Sequence, residues 1–157
     1  MKSALLAIAG LAALGTVSTV ALADGHIKKA VEARQGFMKV VAFNLGPLGA
    51  MAKGEMEYDA EIAANNAKNL HALAVMNNGA MWPAGSDNAA LGEDVTRALP
   101  AAWADGSKVG EKHKAWIDAS AQLAAVAGDG LDALKGAVGG VGKSCGGCHD
   151  DYRAEKK

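Results

Sequence analysis

The chain is short of several features that would each define a class. Only two of its 157 residues are cysteine, so no network of disulfides staples it and no four-cysteine metal site can form. Aromatics make up 4%, and three prolines punctuate the whole length. Sixteen basic residues stand against 17 acidic ones, a formal net charge of −1, so nothing suggests a nucleic-acid partner. No apolar run reaches the ~20 residues needed to span a bilayer. No stretch reads as strand.

What is present favours helix: alanine is the commonest residue, and leucine and lysine are frequent. The N-terminus has the form of a secretory leader. Lys2 gives a positive start, Ala4 to Leu14 is apolar, and Ala21-Leu22-Ala23 is an A-x-A cleavage site. Residues 1–23 are therefore expected to be removed, leaving 24–157 as one exported domain, expected in the periplasm with no membrane attachment. Loss of Lys2 takes the formal charge to −2.

Both cysteines lie in "CGGCH", residues 145–149. Two thiols three apart with histidine directly behind form a haem-attachment signature. A disulfide, a thioredoxin-like pair and a zinc site are the alternatives. The thioredoxin pattern needs a preceding strand, and closed zinc sites need four ligands where three lie together here. Covalent haem c is the stronger reading, with Cys145 and Cys148 holding the porphyrin and His149 turned to the iron.

Punctuation divides the mature chain into four helical segments. The first runs from about Gly25 to Lys53, with Pro47 expected to bend it or shift its hydrogen-bond ladder. The second is capped by Asp59 and ends at Asn77-Asn78-Gly79. A long loop follows, then a third segment starting between Pro100 and Lys108 and ending near Gly128. Asp129 is expected to cap the fourth. There Leu131, Leu134, Val138, Val141, Cys145, Cys148 and Tyr152 alternate at spacings of three and four, the inward stripe of a bundle helix. The fold class is all-α, an antiparallel up-down-up-down four-helix bundle with covalent haem. That topology puts Arg34 to Met38, Met76 to Trp82 and Thr96 to Trp103 at the end that holds His149.

The residues "VEARQGFMKVVAFNLGPLGAMAKGEMEYDA", "WPAGS", "VTRALPAAWAD" and "GKSCGGCHDDYR" together resemble cytochrome c′, a class II c-type cytochrome. The resemblance covers most of the mature chain. It implies a homodimer through the first two helices and a high-spin, five-coordinate haem that binds nitric oxide and carbon monoxide. It places Arg34 and Gln35 at the haem edge, Thr96 and Arg97 against the haem, and Arg153 beside the proximal His149. Apart from that match, a haem carboxylate needs charge-assisted partners, and Arg34 is at the correct end. A solvated helix face explains Arg34 less well, whereas Arg153 could equally be a cation suited to a helix C-terminus. Trp82 and Trp103 read as pocket wall or core, Trp116 as core, His113 as exposed, and His71 as surface or satisfied core.

Met38 divides the functional readings. In cytochromes c′ this position carries a bulky apolar residue over the iron, while in low-spin relatives of c-556 type a methionine there bonds it. Histidine alone leaves a face open to NO and CO; histidine plus Met38 as sixth ligand makes a filled iron suited to electron transfer with a periplasmic redox partner. Enzymatic turnover is the least favoured reading, because Phe37, Val41 and Ala42 around Met38 offer no acid–base group.

Overall fold

A computed structural model describes residues 17–156, with side chains from Gly25 onward. Most of the expected leader lies outside the described residues. Four long helices are formed: α1 (Val17–Lys53), α2 (Ala60–Val75), α4 (Val109–Val126) and α5 (Leu131–Tyr152). A one-turn helix, α3 (Asn88–Leu91), sits in the long connection between α2 and α4. Among the described residues there is no strand, only an isolated bridge between Ala98 and Arg153.

Contacts between helix ends fix the topology. The His113 Nε2 near the start of α4 meets the Ala74 carbonyl at the end of α2 at 2.9 Å. Lys112, also early in α4, pairs with Asp151 at the end of α5 at 2.8 Å. Each long helix therefore runs antiparallel to its neighbour, in the order α1–α2–α4–α5 around a square. None is long and apolar enough, among the described residues, to cross a membrane.

Local chemistry sets the boundaries. α1 stops where Gly54 takes φ 77°. Glu55 N then donates to Ala50 O and Gly54 N to Met51 O, satisfying two of the last carbonyls of the helix. Asp59 caps α2 as expected, its carboxylate accepting from Ile62 N. Asp129 does not cap α5. Gly130 takes that place with φ 127° and no side-chain bond, a conformation that costs glycine little. α1 also runs unbroken through Pro47. Pro47 has no N–H to offer the Phe43 carbonyl one turn back, and Phe43 lies on the exposed side of the helix, 77% accessible.

The core is aliphatic. Leu48, Met51, Leu70, Leu123 and Leu134 are fully enclosed, each burial worth about 1.5–3 kcal/mol. Phe37 of α1 meets Trp116 of α4 edge-on, ring centres 6.3 Å apart, bridging the diagonal of the square. Only Leu134 and Val141 of the expected α5 stripe are fully buried; Cys145 packs half-buried against the core.

Candidate haem site

Helical geometry puts Cys145 and Cys148 on one face of α5, a turn apart. Both are half-buried and not joined to each other. Burial pushes both pKa values up; at Cys148 the Lys112 ammonium works against it. His149 shifts the other way: burial lowers its pKa, and the charges of Arg153 and Arg97 add to the effect against Asp150. The imidazole is thus biased toward its neutral form, which presents a lone pair to a metal.

The residues between α2 and α4 form a strap over this end of the bundle, and Arg34 ties it down. Arg34 is 4% exposed. One terminal nitrogen donates to Ser86 Oγ at 3.0 Å and Met81 O at 3.3 Å. The other donates to Ser86 O and Thr96 Oγ1, both at 2.9 Å. Trp82 covers the guanidinium at 4.5 Å, and Trp103 packs on Trp82 while donating to its carbonyl at 3.1 Å. No carboxylate is paired with Arg34 among the described residues. Burial pushes its pKa down, but a guanidinium remains charged.

The strap is stitched in turn to the chain after α5. Leu99 N donates to Tyr152 O and Ala154 N to Arg97 O. The Arg97 side chain reaches Ala154 O at 3.4 Å, and Tyr152 Oη accepts from Lys108 N at 2.8 Å. Gln35 Nε2 donates to Val95 O at 2.8 Å. Arg34, Gln35, Thr96, Arg97 and Arg153 are therefore brought together with the end of α5. Arg34, Gln35 and Arg97 bond mainly to one another's segments, and Arg153 is exposed.

Met38 lies on the side of α1 that faces α5. Asn44 marks the opposite flank, since Asn69 of α2 donates to its side chain at 2.9 Å. Around a helix, Met38 and Asn44 fall about 60° either side of Val41. As α1 packs against α2 and α5, the flank opposite Asn44 is the α5 flank. Met38 is also one turn inward from Arg34, while His149 is one turn inward from Arg153. The strap joins those two levels through Thr96 and Ala98. Side chains lean toward the N-terminus of their own helix, so Met38 leans toward the Arg34 level and His149 toward the Cys145 level. Met38 is 37% exposed and is not a core residue.

Of two other histidines, one departs from expectation and one takes an expected alternative. His113 is half-buried rather than exposed, because its ring bridges Ala74 O and the face of Trp116, 5.8 Å away. His71 is a satisfied, part-buried histidine bonded to Ser120 Oγ at 3.2 Å. Ser86 gave no sequence signal, yet it is fully buried as a partner of Arg34. Tyr58 was equally silent: its hydroxyl donates to Ala127 O and accepts from Gly130 N, both at 2.9 Å.

This donor set fits covalent haem: two sulfurs one turn apart, an imidazole whose burial favours its neutral form beside them, and a buried arginine at the same end of the bundle. Residues 29–153 match the family model described as Cytochrome C'. The chain belongs to the cytochrome c′ family. A cytochrome c-554 from Cereibacter sphaeroides is 41% identical over 129 residues, covering 82% of this chain and 95% of that one. A cytochrome c′ from the same species is 39% identical over 158 residues, 99% of this chain and all of its own. The solved cytochrome c′ of Rhodobacter sphaeroides superposes with a TM-score of 0.79 at 38% identity, covering 83% of this chain and 98% of that one. Members of the family carry covalently bound haem c, and Cys145 and Cys148 stand in the C-x-x-C-H arrangement that bonds it.

Proposed function

We propose that this cytochrome c′-family protein is an exported, periplasmic haem c protein whose iron is held by His149 and faced by Met38. The side of the iron under Met38 is open or weakly held, binds small uncharged gases such as NO and CO, and allows one-electron exchange with a periplasmic redox partner. The position of Met38 supports this reading: helical geometry sets it on the flank of α1 away from Asn44, one turn from Arg34, and it lies outside the core. Its neighbours Phe37, Val41 and Ala42 are apolar, which favours neutral diatomics over anions. With no acid or base among them, the protein is a binder and carrier rather than an enzyme. Thr96, Arg97 and Gln35 act from the strap side of the haem, and Arg153 from the proximal side.

Arg34 has a double part in this proposal. Its four terminal hydrogen bonds hold the strap, and its uncompensated charge favours a nearby haem carboxylate. The exposed Phe43 and Val40 of α1 supply an apolar surface for a homodimer through α1 and α2. Residues 1–23 act as the cleaved leader.

A second reading has a specific support. Met38 places a thioether on that flank, and a relative at 41% identity bears the name cytochrome c-554 rather than c′. Met38 would then be a tight sixth ligand and the protein an electron carrier. Absorption spectra of the ferric and ferrous protein, with and without CO, separate the two. The open site gives a broad ferrous band that sharpens with CO. A sharp low-spin ferrous spectrum indifferent to CO would establish the second reading and eliminate the first.

A further inference from the structure

Trp116 is nine-tenths buried, yet its Nε1–H has no hydrogen-bond partner, and no other buried side-chain donor or acceptor among the described residues lacks one. Native folds rarely leave such a donor unpaired. Its surroundings point to what pairs with it. Along the α4–α5 contact, Gly140 faces Ala119 and Gly147 faces Lys112. In that antiparallel register Trp116 stands at the height of Lys143 and Ser144, within a turn of Cys145. On the α1 side it meets Phe37, the residue before Met38. On the α2 side His113, held by Ala74 O, covers part of its ring. The indole thus stands between α1, which carries Met38, and the stretch of α5 within a turn of the attachment Cys145.

We propose that Trp116 Nε1–H donates a hydrogen bond to an acceptor oxygen held in the haem site. Two sources offer that chemistry: a haem carboxylate, or a gas such as CO bound there. The proposal rests on the haem site assigned above, and its gas branch alone also rests on the open-site reading.

Ultraviolet resonance Raman of the holoprotein reports whether an indole N–H is hydrogen-bonded, and the difference between wild type and Trp116→Phe isolates this one. The phenylalanine keeps a ring against Phe37 while removing the donor. On the unaltered protein, the indole N–H proton in the ferrous CO form, assigned through its proximity to Phe37, gives the same information by NMR. A hydrogen-bonded indole is expected. If CO is the acceptor, Trp116→Phe raises the C–O stretching frequency and speeds CO dissociation roughly fivefold, the equivalent of one neutral hydrogen bond. If the carboxylate is the acceptor, that stretch stays put, while the pH at which the reduction potential changes moves upward as the carboxylate loses its donor. A protein that binds no CO sinks the open-site reading, and the indole signal still decides this proposal. An indole without a hydrogen bond overturns it, as does a bonded indole whose replacement moves neither the stretch nor the pH transition.

Discussion

Replacing Arg34 by methionine removes the tie between α1 and the strap but keeps an unbranched stem under Trp82. Two enclosed acceptors would then be stranded, Ser86 Oγ and the Ser86 carbonyl, and the part-buried Met81 carbonyl would lose its donor to water. Thr96 Oγ1 retains a donor in Ala98 N at 3.2 Å. Each stranded buried acceptor costs about 1–3 kcal/mol, and loss of the guanidinium over Trp82 adds about 1 kcal/mol. Against this, burying a guanidinium costs desolvation, and its removal returns part of that cost. The expected net loss is about 2–4 kcal/mol. Arg34→Lys should fare little better, since one ammonium cannot span acceptors arranged around a planar fork. Urea unfolding of the holoprotein measures the loss, and hydrogen exchange over residues 79–99 should show protection falling there first. A loss below about 1 kcal/mol with unchanged exchange in the strap would refute the assignment of Arg34 as its anchor.

Gly136 and Gly139 have helical neighbours and nothing within 4 Å of where a Cβ would sit; alanine at either should raise stability by about 0.5–1 kcal/mol in thermal or urea unfolding. Tyr58→Phe should lower it by about 1–2 kcal/mol, because both Ala127 O and Gly130 N lose their shared partner. In the haem-free chain, burial holds both thiols protonated above the ordinary cysteine pKa of about 8.5. Iodoacetamide at pH 8.5–9 should then label the folded chain more slowly than the urea-unfolded one. Because the folded state keeps protons that the unfolded state releases, stability of the haem-free fold should decline as pH rises past that ordinary pKa.

The bundle was legible because its signals are local and periodic. Gly54 marked the end of α1 and Asp59 the start of α2. The three–four spacing through Val141, Cys145 and Cys148 placed the attachment motif on the inner side of α5. Chain order alone brought Arg34, Thr96 and His149 to one end. What sequence could not yield were pairings across the strap, which depend on irregular backbone. Ser86 is one small polar residue among several in a loop, and nothing in its spacing reveals a buried bond to Arg34. His113 looked solvated because lysines flank it, yet on a helix its immediate neighbours in sequence face other directions. Asp129 carried a proper capping side chain, but the adjacent Gly130 could adopt φ 127° and took the cap instead.

The stitch between the strap and the residues after α5 also sets a distance. From the proposed proximal His149 the path runs one turn to Arg153, across to Ala98, back to Thr96, across to Arg34 and one turn on to Met38. It is a belt of backbone and polar bonds passing outside the aliphatic core. The gap between the two groups that would flank the metal is therefore gauged by this belt, and loosening one buckle at Thr96 should alter it without disturbing the packed leucines.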